Sequence, residues 1–215
     1  MGILEKNELA KKIVSVLDKA YPDAPTTYLF YENPFELLIA TILSARATDV
    51  GVNKVTPILF ARYPTPVKLA AAEIKEVAEI VRPLGAYNRK SSYITDTARL
   101  VNEKFNGEVP QTLDELIIFK GVSRKTANVI LSVVFNLSEG VVVDTHVGRV
   151  TVRLGLSEHE KKPDKIEKDL IELLPQEMWN NYARLMGAHG RRTCKSQRPL
   201  CPECSVNALC PSAEI

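Results

Sequence analysis

Leu9, Ile13, Val16, Leu17 and Ala20 recur at the three- and four-residue spacing of a single helix face, which predicts a helix over 5–20 that Tyr21-Pro22 ends. Asn33-Pro34 places a capping residue before a proline at the first helical position. The segment it opens, 35–44, is apolar nearly all round and is expected to be buried. Thr48 or Asp49 can cap the next helix, which runs through Phe60. Pro64, Pro66 and Pro83 punctuate two shorter helical pieces, the second over 73–82. Residues 84–88 read as a loop, followed by a long helix from about Arg89 to Phe105 that Asn106-Gly107 stops. A short apolar helix over 113–118 then runs into a tight turn at Gly121, and another leaves from Ser123 to about Phe135. Val141 to Val143 is β-branched, but one strand without a partner is not a sheet. It is expected to be extended chain leading into a helix capped by Asp144. Helices near 164–174 and 177–188 complete an all-α pattern of about ten helices joined by short links.

The chain has 215 residues, enough for one large domain or two small ones. With 45% hydrophobic and 25% charged residues it has the composition of an ordinary globular chain. A net charge of +2 argues little about partners. The distribution says more: Arg184 to Arg198 holds five Lys/Arg and no acid, whereas Glu158 to Glu177 mixes acids and lysines along a solvated helix. No apolar run approaches a membrane span, and the first residues lack the basic start and apolar centre of a signal peptide. A cytoplasmic monomer is expected.

Chemistry concentrates in two stretches. The turn Phe119-Lys120-Gly121-Val122-Ser123-Arg124-Lys125-Thr126-Ala127 presents backbone N–H groups at a helix N-terminus, where partial positive charge favours an anion such as phosphate. Lys125 sits in the first turn, where the helix dipole disfavours an ammonium and favours a nucleophilic neutral amine. Nineteen residues later comes Asp144, in Val143-Asp144-Thr145-His146. By itself this pattern also fits a solvated lysine, a plain helix cap and a backbone-bonded histidine at His146. The second stretch is the tail. All four cysteines, Cys194, Cys201, Cys204 and Cys210, fall within seventeen residues at x6, x2, x5 spacing, which reads as metal ligation. Spacing alone accommodates a [4Fe–4S] cluster and a zinc ion equally well. Lys195 and Arg198, in the first ligand loop, offer cations to a phosphate or offset the charge of the thiolates.

Taken together, these residues resemble the endonuclease III family of helix-hairpin-helix DNA glycosylase/lyases, nearly end to end. The resemblance is carried by Leu43-Ser44-Ala45-Arg46-Ala47-Thr48-Asp49-Val50, Tyr87-Asn88, the hairpin Gly121 to Ala127, Val143 to His146, His189-Gly190-Arg191 and the cysteine spacing. It implies an all-α fold of two helical domains with a DNA-binding cleft between them. Residues 27–138 would carry the hairpin, and 1–26 plus 139–215 would hold a [4Fe–4S] cluster on the four cysteines. The implied activity is a prokaryotic, nucleoid-associated base-excision-repair DNA glycosylase with AP lyase action. It would take double-stranded DNA with an oxidised pyrimidine or an abasic site, with no membrane involvement. Lys125 would attack the sugar and Asp144 would assist. Arg46, Ala86, Lys120, Gly121, Val122, Ser123, Arg124, Thr126, Arg191, Lys195 and Arg198 would contact DNA. Other possibilities are a protein acting mainly as an AP lyase or on mismatched or deaminated bases, and a non-catalytic DNA binder with a metal-stapled tail.

Four departures from the family pattern stand out. The family hairpin reads Leu-Pro-Gly-Val-Gly, and here Lys120 and Ser123 intrude; losing the second glycine costs roughly 1 kcal/mol if that position needs positive φ. Arg46 stands where the family has glutamine, and Ala86 where it has a larger apolar wedge. Lyase chemistry is expected to be normal and base removal shifted or weakened.

Overall fold

The computed structural model of the protein describes residues 2–214, and no strand forms among them. The α-helices are α1 (Ile3–Ala20), α2 (Pro34–Leu43), α3 (Asp49–Arg62), α4 (Pro66–Ala70), α5 (Ile74–Val81) and α6 (Tyr87–Lys104), then α7 (Leu113–Leu116), α8 (Arg124–Phe135), α9 (Thr145–Arg153), α10 (Pro163–Leu173) and α11 (Trp179–Arg192). Short 3-10 turns lie at Arg82–Leu84, Gln176–Met178, Cys201–Glu203 and Asn207–Leu209. The chain divides into two compact units: Tyr28–Leu137, and the described residues up to Thr27 together with those from Ser138 onward. No helix among the described residues is long and apolar enough to cross a membrane.

The central unit is built around α2. Every residue from Phe35 to Leu43 is buried, because helices pack on all its sides, α3, α6 and α8 among them. Asn33 Oδ1 accepts from the Glu36 N–H at 3.0 Å, and Pro34, which has no N–H to satisfy, takes the first helical position. Thr48, not Asp49, caps α3, accepting from the Gly51 N–H at 3.1 Å, and Asp49 adds favourable charge in the first turn. This helix continues past Phe60 to Arg62 and contains Pro57, tolerated because Pro57 lies on its exposed face. The loop predicted over 84–88 shrinks to Gly85 and Ala86. Both take left-handed backbone (φ +66° and +46°), so the turn closes in two residues and α6 begins at Tyr87.

The second unit joins the N-terminal helix to the C-terminal part of the chain. Ala10, Ile13, Val14 and Leu17 of α1 are buried in a core shared with α9, α10 and α11. Val141 and Val143 are buried in extended chain that leads into α9. α9 and α11 approach closely at Gly190, where an added Cβ would lie 2.9 Å from His146 Cβ. The last helix runs to Arg192 rather than stopping near 188, since His189 and Gly190 are still packed in the core and the basic last turn complements the helix dipole.

Candidate active site and cysteine-lined cavity

The hairpin connects α7 to α8. Phe119 and Val122 are buried and anchor it, with Phe119 meeting Phe105 edge-on at 5.9 Å between ring centroids. Lys120, Gly121, Ser123, Arg124 and Lys125 are exposed. Gly121 takes φ +88°, and an added Cβ there would sit 2.9 Å from the Tyr93 ring. Ser123 has φ −86° in extended backbone and caps α8, its Oγ accepting from the Thr126 N–H at 3.3 Å and lying 3.1 Å from Thr126 Oγ1. Position 123 therefore does not need positive φ, and the serine carries no conformational penalty there. Lys125 stands exposed in the first turn of α8. Lys120, expected beside a phosphate, has its ammonium 2.9 Å from Asp96, which also pairs with Arg99. This pair is exposed and worth at most about 1 kcal/mol, so it competes only weakly with another anion.

Six non-glycine residues among those described take positive φ: Arg46, Ala86, Asn106, Asn136, Lys161 and Arg198. Two are the asparagines that follow α6 and α8, where left-handed backbone is routine. Arg46, Ala86, Lys161 and Arg198 follow no helix end of that kind. All four are exposed, and each is held in a conformation that costs of order 1 kcal/mol or more for a side chain with a Cβ.

Asp144 caps α9 on the other unit. Its Oδ1 accepts from the N–H groups of His146 (2.8 Å) and Val147 (2.7 Å), while Oδ2 lies 3.4 Å from Arg191 Nη2. The carboxylate thus acts as a cap and is left partly exposed. Arg191, expected on DNA, leans on Asp144 and on the Gly187 carbonyl. His146 is half-buried, with Nδ1 3.3 Å from Arg149 Nη2. Burial, helped by the Arg191 charge, holds its imidazole below the ordinary histidine range.

The four cysteines line one cavity of about 530 Å3, together with Arg153, His189, Leu200, Val206 and Asn207. Lys195 and Arg198 are exposed on the loop between the first two cysteines. Burial pushes the Cys204 and Cys210 thiols up, and the neighbouring cysteines push them further. Among the described residues no three His, Cys, Asp or Glu side chains come together as a site for a single metal ion. The four cysteines all lie along this one cavity.

Several residues around this cavity carried no signal in the sequence reading. Arg149 donates to the carbonyls of Gly190 (2.8 Å) and Cys194 (3.0 Å). Arg153, one turn on, donates to the carbonyls of Lys195 (2.7 Å) and Ser196 (3.1 Å) and to Cys194 Sγ (3.3 Å). Two basic residues four apart, directly after a capping aspartate, were the available clue. Tyr21, whose sequence context marks only the end of a helix, has its hydroxyl 2.9 Å from His189 Nδ1 and 2.8 Å from Thr193 Oγ1.

Residues 39–176 match the family model for the HhH-GPD superfamily base excision DNA repair protein. The chain is 46% identical to the endonuclease III of Synechocystis sp., over 97% of this chain and 94% of that protein. To the endonuclease III of Bacillus subtilis (strain 168) it is 39% identical, over 93% and 92% of the two chains. Among solved structures it is similar to a trapped endonuclease III–DNA covalent intermediate, with a TM-score of 0.88, 40% identity and 96% of both chains covered.

Proposed function

The chain belongs to the endonuclease III family within the HhH-GPD superfamily, and on that premise we propose that it is a base-excision-repair DNA glycosylase and AP lyase in which Lys125 is the nucleophile. The observation that carries this is an exposed lysine in the first turn of a capped hairpin helix, on a chain similar to a protein trapped in covalent linkage with DNA. The substrate class is double-stranded DNA bearing an oxidised pyrimidine or an abasic site, with the damaged nucleotide turned out of the duplex.

The chemistry follows from what each group can do. The Lys125 amine attacks C1′ of the sugar, and the C1′–N bond to the base breaks with its electron pair leaving on the base. The sugar ring opens to a Schiff base between C1′ and Lys125. Loss of a C2′ proton then expels the phosphate from C3′, nicking the strand, and water releases the lysine. Asp144 stabilises the positive charge that develops at C1′ and takes a proton from the attacking amine. The hairpin N–H groups and the surrounding cations hold the phosphates.

The donor set of the tail fits a [4Fe–4S] cluster held by Cys194, Cys201, Cys204 and Cys210. The four cysteines line one cavity of about 530 Å3, and four thiolate ligands are what such a cluster takes. Burial and the neighbouring cysteines raise the Cys204 and Cys210 thiols, so a cationic core would be needed to hold them as thiolates. When bound, the cluster cross-links the tail and neutralises the thiolates.

Borohydride reduction on duplexes carrying an abasic site, thymine glycol or dihydrouracil tests the reading. Wild type should be trapped on all three, and Lys125→Ala should lose trapping and nicking together. Continued nicking by Lys125→Ala would overturn it. Asp144→Asn should slow base removal by about 10²-fold or more.

A further inference from the structure

The cysteine cavity is faced by a histidine for which the reaction has no use. We propose that His189 donates its Nε2–H to the Cys204 sulfur, in the tautomer that iron loading selects and the Tyr21 hydroxyl completes, and so sets the reduction potential of the cluster from outside its ligand set. This rests on the iron–sulfur reading of the cavity given above.

His189 is 2% exposed. Its Nδ1 lies 2.9 Å from the Tyr21 hydroxyl and its Nε2 lies 3.7 Å from Cys204 Sγ. A neutral imidazole has one donor and one acceptor nitrogen. A cysteine sulfur bound to iron carries no proton and can only accept. A bare nitrogen lone pair facing that sulfur would be repelled, so the ring proton belongs on Nε2. Nδ1 must then accept, and the Tyr21 hydroxyl is the donor it faces. Tyr21 in turn has Thr193 Oγ1 at 2.8 Å, whose hydroxyl completes the chain as a donor. The order Thr193 to Tyr21 to His189 to Cys204 satisfies each buried donor in a single direction.

With a free thiol at Cys204 the opposite direction would work equally well, since the S–H could donate to Nε2. Metal loading is what selects the direction. Arg153 Nη1 approaches Cys194 Sγ at 3.3 Å, so two of the four sulfurs receive side-chain donors. Hydrogen bonds to ligating sulfurs draw electron density from the iron and raise the reduction potential. A histidine present only for packing would leave the potential where it was.

The test uses the full chain purified with its iron, with iron content and visible absorbance recorded before voltammetry. His189→Leu should shift the cluster potential to more negative values, and Tyr21→Phe should shift it the same way by less. His189→Gln, whose amide N–H can replace the Nε2 donor, should recover most of the shift. If His189→Leu does not retain iron, Tyr21→Phe decides alone, because it keeps the ring and removes only the hydroxyl. Iron-loaded variants with the wild-type potential would overturn the proposal while leaving the cluster reading intact. A wild-type protein isolated with zinc and no iron would remove both.

Discussion

At Gly121 the backbone takes φ +88° with the Tyr93 ring 2.9 Å from where a Cβ would be, whereas two residues later Ser123 sits at φ −86° and caps α8. The two positions of one hairpin turn therefore ask for opposite residue types, glycine at 121 and a capping side chain at 123. Gly121→Ala should cost about 2 kcal/mol or more, from left-handed strain plus displacement of Tyr93. Ser123→Gly, which restores the usual family residue, should also destabilise, by about 0.5–1 kcal/mol, through the lost cap and a more flexible unfolded chain. Urea unfolding of both variants checks this, and a Ser123→Gly protein more stable than wild type would contradict the assigned cap. Asp144 shows the same economy of residues: one oxygen holds two N–H groups of α9 while the other faces Arg191. The cap fixes where the second oxygen points, 3.4 Å from Arg191 Nη2.

Among the elements, the start of α6 is held in an unusual way. Lys90 is 5% exposed, and its ammonium donates to the Leu84 carbonyl at 3.0 Å, tying the 3-10 turn Arg82–Leu84 to the helix across Gly85 and Ala86. Burial, with a contribution from Arg89, lowers the Lys90 pKa from its ordinary 10.5. The folded state therefore holds this proton less tightly than the unfolded chain does. Stability must rise with pH between the folded pKa and 10.5, because the unfolded state binds more protons there. Comparing Lys90→Met with wild type at pH 7 and pH 10 isolates this contribution. The stability of wild type relative to the variant should increase at the higher pH, and an unchanged difference would mean that the ammonium is not desolvated. Helix α9 uses charge differently, with Arg149 and Arg153 spending their N–H groups on carbonyls of the Cys194 loop. A basic pair that looks solvated in sequence is in fact the brace of the ligand loop.

At the scale of the whole molecule there are two hydrophobic cores, one per unit, and they differ in how much they ask of the cysteines. The unit Tyr28–Leu137 is closed by its own helices. In the other, Cys194, Cys204 and Cys210 pack at the edge of the core, and among the described residues the chain beyond α11 forms no helix longer than two single-turn 3-10 segments. On the proposed iron–sulfur reading, a bound cluster would stabilise that tail by linking its loops, and removing it would withdraw the linkage. Oxidative removal of iron should expose residues 193–214 to protease and hydrogen exchange while 28–137 keeps its protection. Equal loss of protection in both units would show that the tail is not the element the metal holds.

Much of this protein was legible in the chain itself, because helical periodicity, caps and cysteine spacing are local properties. The all-α class, the hairpin at Gly121, the cap at Asp144 and the four-cysteine tail all depend on residues within a few turns of one another. The end of α6 was equally local, but its start was not. Two consecutive residues with positive φ, one of them an alanine, are tolerated because Lys90 folds back on Leu84, and a buried lysine leaves no mark in a hydrophobic pattern. Tertiary structure alone decided which polar residues meet: Lys120 with Asp96, Arg149 and Arg153 with the Cys194 loop, and Tyr21 with His189, 168 residues away. Hydrogen bonds of that reach depend on how helices pack, and packing is a property of the folded chain that no single stretch of sequence encodes.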